Sequence, residues 1–522
     1  MQYYAILTSK KNVKTVKDLL DSHDALNKNI KIRKHVTTKH STEDDHFCLP
    51  TTFEVDFQPG TEIDAASQVG YKQLPPSLRD ILQTGGRQSR ASLIIITPDT
   101  NEPVMKLRPL QQGASIALAV VSNAYPDVVD ASHIANLAST INASFNVYQP
   151  MLLLPANAFL HPSWSSILST FSHQPEVAMA FFSRLASTMT TTHVALNGQI
   201  PALQQFSAVE NILRSPTSLT PLHGDFGPAL PPFPRHIPLA ADFDAAFWVS
   251  CKQNGITQIW APRYSMFSAG NVTEKARLLT LPSVLSAVKD ANMQLGRKLL
   301  APITGTSAGC AAVDMFAGIG YFAFSYAHAG VRTILCWDLN PWSIEGLRRG
   351  AAANKWGTST FSCPNSDVAA RDPVNDTEVE AETAVLAPPN ARLLLFCESN
   401  VHAGARIRRM RTGLPPIRHV NCGMLPTIGA AWKGAVEAVD PWLGGWVHLH
   451  ETVDGRKMDV RVEEIVGNVE AHWRSLDRRY PESSQGERIR LEHVERVKSM
   501  GPRLWHVVLD IWISPRQDLN DR

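Results

Sequence analysis

Short apolar runs and polar turns alternate most regularly in the C-terminal half of the chain. One apolar run ends at Asp314, a glycine turn covers residues 316–320, and an apolar stretch then extends from Tyr321 to His328. A glycine ends that stretch, and the next apolar run, Thr333–Trp337, is followed by Asp338. This order of strand, glycine turn, helix, strand and acid predicts the start of a βαβ nucleotide-binding unit.

The alternation continues almost to the end of the chain. Asn340 followed by Pro341 predicts a helix start, and Ile344 and Leu347 are expected to face the sheet. Further strands are predicted at Thr358–Ser362, Leu393–Glu398, Trp446–His450, Ile489–Val497 and Leu504–Ile513, and further helices begin near His402, Ile428 and Asp459. The pattern predicts an α/β fold with a doubly wound, Rossmann-like sheet. Its last two strands predict an antiparallel hairpin at one edge, which fits a methyltransferase-type sheet better than a dehydrogenase.

The first half of the chain gives weaker patterns. Strands are predicted at Tyr3–Leu7 and Ser92–Thr97, and a helix at Val13–Leu26. Residues 137–156 fit either paired strands or a helix. We therefore expect an N-terminal α/β region over residues 1–285, which either binds substrate or serves as scaffold, and a catalytic domain over residues 286–522.

Composition excludes several classes of protein. The formal net charge of +2 on 522 residues gives no global field, so any nucleic-acid surface must be local. The seven cysteines form no CxxC pair or zinc-spaced cluster, which indicates a reducing compartment and no metal site; Cys336 and Cys397 are predicted core residues. No apolar run of about 18 residues is present to span a membrane, and the N-terminus has no secretory core. We expect a cytoplasmic protein.

The glycine turn and the acid after it carry the strongest chemical signal. Gly318 and Gly320 permit a sharp turn and let a ligand approach the backbone closely. Asp338 follows about 20 residues later, where an acid accepts hydrogen bonds from ribose hydroxyls. Ala323 replaces the third glycine of the dinucleotide motif, so a ligand with adenosine and no pyrophosphate is favoured. S-adenosylmethionine is such a ligand; the alternative is a tight turn followed by a solvated Asp.

Other strand ends supply further candidates, because ligands lie outside the carboxyl ends of strands in such sheets. Glu398, Ser399 and Asn400 follow one strand, and either one of them bonds the adenine amino group or all three form a solvated loop. Asn421 and Pro426 follow the next strand and are candidates to hold the substrate base or the methionine part of the cofactor.

Polar residues before the nucleotide-binding unit add two more candidates. Asn271 predicts a helix cap, with Glu274 placed to reach back to it. Ser268 and Lys275 then either belong to a plain helix start or reach the same ligand as Asp338.

Basic residues and histidines near the sheet edge have two interpretations each. Arg406 and Arg409 stand in an arginine-rich helix, which is either a solvated cationic face or a set of phosphate contacts to RNA. His448 and His450 alternate along one strand and share a face. They are either core histidines or one of them reaches the site.

Five segments together resemble a known family. They are WAPRYSMFSAGNVTEKAR, VDMFAGIGYF, WDLNPWSIEGLRRGAAAN, IRHVNCGMLPT and GGWVHLHETV, spread over residues 260–453. The chain resembles the wybutosine-synthesising protein 2 branch of the class I S-adenosylmethionine-dependent tRNA enzymes, in a eukaryotic, fungal form. The sister tRNA guanine-N1 methyltransferases share VDMFAGIG but carry a short Asn-Leu-Pro motif where this chain has residues 421–426.

The resemblance implies an activity. Members of this branch transfer the 3-amino-3-carboxypropyl group of S-adenosylmethionine to 4-demethylwyosine, next to the anticodon of tRNA(Phe), and release methylthioadenosine. The alternatives are a tRNA guanine-N1 methyltransferase and a non-catalytic tRNA-binding module. The resemblance implies binding of the anticodon stem-loop, no membrane and no metal; it gives neither a catalytic residue nor an oligomeric state.

It also implies the site residues. The chain departs from the family at Cys397–Asn400, where Gly-Asp-Asn-Arg is common, and at Asp338, where Glu is commoner. Cofactor contacts are expected at Ser268, Lys275, Asp314, Phe316, Gly318, Gly320, Asp338, Glu398, Ser399 and Asn400, and substrate contacts at Asn421, Pro426, Arg406 and Arg409.

Overall fold

The computed structural model describes two compact units, residues 1–107 and 108–522. The predicted boundary between residues 285 and 286 falls inside the second unit and stays a prediction. The described residues are 3–9, 13–22, 26, 33–35, 46–54, 92–96, 107–198, 211, 214, 216, 218–231, 236–296, 309–361, 391–425, 429–476 and 488–516. The acidic and polar segment 367–389 and the predicted substrate contact Pro426 lie outside them.

The described part of the first unit is a small antiparallel sheet with one helix. Val16 and Leu20 of that helix are buried, as the apolar spacing of the segment predicts. The strand order is β2-β3-β1-β4. The elements are β1 Tyr3–Ser9, α1 Val13–Ser22, β2 Arg33–His35, β3 His46–Glu54 and β4 Ser92–Ile96.

The second unit begins with helices, a small sheet and a hairpin. The segment 137–156 holds the end of a helix and then two strands, so both interpretations of it apply to different parts. The helices are α2 Pro109–Ala124, α3 Ile134–Ser139, α4 Ser165–His173, α5 Pro175–Thr188 and α6 Ala240–Ala245. The strands are β5 Asn146–Tyr148, β6 Met151–Pro155, β7 His193–Asn197 and β8 Thr220–His223, in the order β5-β6-β7-β8, with the hairpin β9 Val249–Gln253 and β10 Ile256–Trp260.

The rest of the second unit is built around a large sheet with helices on both faces. Its strands are β11 Ala311–Asp314, β12 Thr333–Trp337, β13 Gly357–Phe361, β14 Ala391–Phe396, β15 Ile417–Cys422, β16 Gly445–Asp454, β17 Ile489–Gly501 and β18 Leu504–Ile513. Its helices are α7 Val272–Thr280, α8 Pro282–Gly296, α9 Ala323–Ala329, α10 Pro341–Ala353, α11 Ala403–Met410, α12 Gly429–Ala438 and α13 Met458–Leu476.

Strand pairing confirms the predicted doubly wound sheet. Among the described residues the order is β13-β14-β12-β11-β15-β16-β18-β17. The first six strands in this order pair in parallel, and β18 pairs antiparallel with both β16 and β17. The chain order reverses at β11, between β12 and β15. This is the topological switch point, where open α/β sheets bind their ligands.

Both faces of this sheet are covered, so a central strand such as β12 is buried along its whole length. In β12 the residues alternate between two cores: Leu335 and Trp337 join one, and Ile334 and Cys336 join the other. Cys336 and Cys397 are buried, which confirms their assignment to the core. None of the helices in the described segments is long and apolar enough to cross a membrane.

Local signals fix the ends of the helices around the switch point. Gly330 adopts φ +105° as the left-handed residue that ends α9. The Asn340 side chain accepts a hydrogen bond from the Trp342 N–H at 3.0 Å, so it caps α10 as predicted. Ile344 and Leu347 are 4% and 0% exposed on the sheet-facing side of α10.

Candidate functional site

The carboxyl ends of β11, β12, β14 and β15 meet at one edge of the sheet. In the strand register Asp314 pairs with Cys336 on one side and with Asn421 on the other. A cavity of about 340 Å³ opens at this edge, a volume within the usual range of small-molecule sites. Its lining includes Ser268, Phe316, Gly318, Asp338, Glu398 and Asn400.

The glycine turn after β11 forms the floor of the cavity. Gly318 has φ +54°, and a Cβ there would lie 2.3 Å from the Tyr321 ring. Gly320 has φ +93°, and a Cβ there would lie 2.7 Å from the Phe324 ring. Both positions therefore require glycine, on backbone conformation and on space. Gly318 lines the cavity, whereas Gly320 shapes the turn into α9 behind it.

Asp338 is held rigidly at the end of β12. Its two carboxylate oxygens accept hydrogen bonds from the backbone N–H groups of Gly318 and Asn340, each at 2.8 Å. Each oxygen retains a lone pair for a further donor. Burial raises the pKa of Asp338 to about 6, against the two backbone hydrogen bonds, which lower it. The acid lines the cavity and presents fixed acceptors to a ligand with hydroxyl groups.

Asp314 lies beneath the cavity wall and ties the turn together. It is 0% exposed and accepts the Ala323 N–H at 3.1 Å and the Phe316 N–H at 3.4 Å. The amide of Asn421, itself 1% exposed, is 3.5 Å away. Burial raises the pKa of Asp314 to about 7. Asp314 and Asn421 thus position the wall between β11 and β15.

Glu398 also presents a carboxylate to the cavity, and a buried arginine holds it. Arg406 donates two hydrogen bonds to its oxygens, at 3.1 Å and 2.8 Å, and the Trp337 indole donates a third at 3.2 Å. Arg406 is 4% exposed, so its guanidinium orients Glu398 instead of standing on a solvated cationic face. Arg409, on the same helix, is exposed.

The two residues after Glu398 complete that side of the cavity. The Asn400 amide donates to the Met315 carbonyl at 2.9 Å, and the Ser399 hydroxyl accepts the Val401 N–H at 3.4 Å. Both line the cavity. The structure therefore brings all of 398–400 to the site.

Lys275 and Ser268 have different positions from each other. Lys275 is 3% exposed, and its ammonium donates to Gln258 at 3.0 Å, Gln253 at 3.1 Å and the Ser268 carbonyl at 3.3 Å. Burial lowers its pKa to about 8. Ser268 lines the cavity. Lys275 thus fixes the segment that carries Ser268 and lies behind the wall.

The predicted capping box at the start of α7 is wrong. The Asn271 side chain makes no cap hydrogen bond. Glu274 instead forms a two-point ion pair with Arg277, at 2.8 Å for each bond, and Arg277 also reaches Asp510 of β18 at 2.6 Å. Arg277, three residues further along the helix and itself bound to Asp510, therefore takes the carboxylate that the sequence pattern assigns to the cap.

His448 and His450 are core residues. Both are 0% exposed. His448 contacts Asp510 at 2.7 Å and His419 at 3.0 Å, and His450 contacts His506 at 2.9 Å. Burial holds the pKa of His450 well below its usual range. These imidazoles link β15, β16 and β18 inside the sheet.

Sequence reasoning missed several residues of the cavity. Lys498 and Met500, near the end of β17, line it, as do Asn271 and Arg214. The Arg214 guanidinium donates to the Leu425 carbonyl. No local motif marks these positions, since each reaches the site only through long-range packing. The sequence feature that could have indicated Lys498 and Met500 is the length of the C-terminal hairpin.

The cavity suits a nucleoside without phosphate. Its floor presents the carboxylates of Asp338 and Glu398, which repel a pyrophosphate and accept hydrogen bonds from hydroxyl and amino groups. Across the described segments, no group of three or more His, Cys, Asp or Glu side chains is placed to hold a metal ion.

Comparison with known proteins finds sequence relatives of this chain. No protein-family model matches the chain. The chain is 33% identical over 371 residues to the tRNA wybutosine-synthesizing protein 2 of Schizosaccharomyces pombe, covering 71% of this chain and 72% of that one. It is 27% identical over 416 residues to the Saccharomyces cerevisiae protein of the same name, covering 73% of this chain and 76% of that one.

Two solved structures are among the similar ones. One is TYW2 of P. horikoshii in complex with MeSAdo, with 15% identity, a TM-score of 0.41 and coverage of 76% of this chain and 98% of that one. The other is a complex of aTrm5 and tRNALeu, with 16% identity, a TM-score of 0.39 and coverage of 98% of this chain and 99% of that one.

Proposed function

This chain belongs to the tRNA wybutosine-synthesizing protein 2 family, and we propose that it transfers the 3-amino-3-carboxypropyl group of S-adenosylmethionine to the 4-demethylwyosine base of tRNA(Phe). The observation that carries the proposal is the pair of fixed carboxylates, Asp338 and Glu398, at the switch point of the sheet. This reaction is a step of wybutosine biosynthesis and releases methylthioadenosine.

The adenosine part of S-adenosylmethionine fits the end of the cavity built by β12 and β14. Asp338 is fixed by two backbone N–H groups and accepts hydrogen bonds from the ribose hydroxyls. Glu398, oriented by Arg406, accepts one from the adenine amino group. Gly318 leaves room for the ligand to lie against the turn. These residues bind and orient; none of them takes part in bond making.

The chemical step needs little more than positioning. An electron-rich carbon of the tricyclic base attacks the γ-carbon of the methionine arm. The new carbon–carbon bond forms as the bond between the γ-carbon and sulfur breaks, and the electron pair stays on the sulfur of methylthioadenosine. The base then loses the proton of its attacking carbon to solvent. The position of the methionine arm selects this outcome over methyl transfer.

The tRNA lies against exposed basic side chains of the catalytic domain. Arg409 is exposed on α11, the helix that follows β14 and the cavity residues 398–400 in the chain, and an exposed arginine suits a phosphate contact. The N-terminal region, residues 1–285, supplies further contacts to the anticodon stem-loop. We place the reaction in the cytoplasm on the sequence pattern alone.

Mass spectrometry of the small-molecule product tests the proposal. The full chain is incubated with S-adenosylmethionine and tRNA(Phe) carrying the tricyclic intermediate, and with tRNA(Phe) that carries guanine there as the control. Methylthioadenosine, formed only with the tricyclic tRNA, is the expected product. S-adenosylhomocysteine would mean methyl transfer, as in a guanine-N1 methyltransferase. Binding of both ligands with neither product would favour the non-catalytic tRNA-binding module.

A further inference from the structure

The C-terminal hairpin extends beyond the carboxyl edge of the parallel strands. At that edge Cys422 of β15 pairs with Leu449 of β16. Lys498 of β17 pairs with His506 of β18, which in turn pairs with Thr452 of β16. Thr452 is three positions after Leu449, which is about 10 Å at about 3.3 Å per residue. The hairpin therefore projects over the cavity and brings Lys498 and Met500 to its lining.

Lys498 offers a positive charge that has no counter-ion among the described residues. Its ammonium packs against Gly270, where a Cβ would lie 2.5 Å from Nζ. No residue of the described segments accepts a hydrogen bond from it or pairs with it as an acid. The ammonium is partly removed from solvent, and this desolvation lowers the pKa of Lys498. An ammonium in this condition is suited to an anionic group of a ligand.

Asn271 adds a hydrogen-bond acceptor beside this lysine, which is a donor. It follows Gly270 in the chain, lines the cavity and is 9% exposed. Its side-chain oxygen has no hydrogen-bond partner among the described residues. Buried acceptors without a partner are rare in folded proteins. The terminal torsion of asparagine is soft, so this amide can turn its oxygen to a donor in the cavity.

An amino acid carries one anionic and one cationic group on the same carbon. We propose that Lys498 binds the α-carboxylate and Asn271 accepts from the α-ammonium of the methionine arm of S-adenosylmethionine. The assignment rests on the proposed function for the identity of the cofactor. In the strand order, β11 and β15 lie between the strands that carry Asp338 and Glu398 and the hairpin that carries Lys498. With adenosine at the first two residues, an arm that reaches Lys498 therefore passes Phe316, which follows β11 and lines the same cavity.

This subsite fixes both ends of the arm and so determines which carbon of the sulfonium faces the acceptor base. The other cationic residue of the described lining, Arg214, already donates to the Leu425 carbonyl. Lys498 and Asn271 are thus specificity-determining residues for the transferred group.

Two nucleosides distinguish a contact of Lys498 with the amino-acid part of the ligand from a general effect of Lys498 on nucleoside binding. S-adenosylhomocysteine and methylthioadenosine share adenosine and an uncharged sulfur, and only the first carries the amino acid. Isothermal titration with the full chain compares wild type, Lys498→Met, and Lys252→Met, which removes a charge from an exposed residue of β9 outside the cavity. We expect Lys498→Met to weaken S-adenosylhomocysteine binding by about 10- to 100-fold and to leave methylthioadenosine binding unchanged.

Each other outcome is informative. Equal weakening of both nucleosides, or no weakening of either, overturns the assignment. Unchanged nucleoside binding together with weaker tRNA binding also overturns it, and makes Lys498 an RNA contact. If the wild type binds neither nucleoside, the proposed function itself fails. Lys498→Arg is expected to restore part of the lost affinity, and Asn271→Ala to weaken only S-adenosylhomocysteine, by about tenfold.

Discussion

The two ends of the cavity are made from different kinds of structure. The adenosine end consists of residues that directly follow parallel strands, and backbone N–H groups hold its carboxylate, Asp338. The arm end consists of an antiparallel hairpin and the loop before α7, which meet at Lys498 and Gly270. Local geometry creates the first end, and long-range packing creates the second. The ends can therefore be disrupted separately.

The largest expected effect is on the arm end through a buried ion-pair network. Arg277→Met removes the guanidinium that joins Glu274 of α7 to Asp510 of β18, and Asp510 also holds His448. Breaking a buried pair costs about 3–5 kcal/mol because the remaining charges lose their partner. Urea unfolding measures the loss of stability.

A matched control exists within α10. Arg348 pairs with Glu345, but its side chain is 48% exposed. For Arg348→Met we expect a loss of about 0.3–0.5 kcal/mol, typical of exposed helix pairs. Similar losses in the two variants would contradict the role of the network in anchoring α7.

The second largest expected effect comes from a substitution at the adenosine end. Asp338→Ala removes the acceptor for both ribose hydroxyls, and the N–H groups of Gly318 and Asn340 lose their partner. We expect S-adenosylhomocysteine and methylthioadenosine binding to weaken alike, by about 100-fold, in isothermal titration. Retained tRNA affinity would show that the variant is folded. If instead nucleoside binding were unchanged, Asp338 would have no part in the site.

A smaller effect is expected for substitutions of Arg406 and Arg409. Comparing the two variants distinguishes residues that support cofactor binding from residues that contact RNA. Arg406→Met frees Glu398 from its two-point partner, and we expect both nucleosides to bind about tenfold more weakly, which is about 1.4 kcal/mol. Arg409→Met is the matched variant on the same helix. For it we expect unchanged nucleoside binding and a tRNA salt dependence shallower by about one phosphate contact.

Filter binding of tRNA over a range of salt concentrations, with titration of the nucleosides, separates these outcomes. A loss of tRNA affinity in Arg406→Met without a loss of nucleoside affinity would reverse the assignment of that residue.

The smallest effect is the pH dependence of the adenosine end. Burial raises the pKa of Asp338 to about 6, so the carboxylate is present above that pH and is protonated below it. A protonated carboxyl accepts fewer hydrogen bonds, so nucleoside affinity is expected to fall as the pH drops through 6, by up to about tenfold at one unit below the pKa. Asp338→Asn should lack this step. Affinity that rises on acidification would contradict the assignment.

The sequence predicts the adenosine end because its signals are local. The left-handed glycines, the Asn340 cap and the fully apolar strand before Asp338 are each legible within a few residues, and the structure contains them at the predicted positions. The doubly wound, largely parallel arrangement of the sheet follows from the same alternation of elements. Which residue contacts the cofactor at each of these strand ends stays a prediction.

The sequence does not predict the arm end in this way, because contacts between residues far apart in the chain determine it. Glu274 fits a capping box in the sequence, but in the fold Arg277 binds its carboxylate and also reaches Asp510 of the distant strand β18. One residue of the adenosine end is equally hard to predict: Arg406 stands among several arginines in the sequence, and only the fold buries it and binds it to Glu398. Lys498 stands in an ordinary strand, and only the extension of the hairpin brings it to the cavity.

The separation of the two ends also bears on turnover. In the proposed arrangement the cosubstrate is held at Asp338 and at Lys498 at once, whereas each product keeps only one of these anchors. When the γ-carbon leaves the sulfur, the aminocarboxypropyl group departs with the RNA and the nucleoside retains the adenosine end alone. The reaction thereby removes one of the two anchors, so methylthioadenosine is expected to bind more weakly than S-adenosylmethionine.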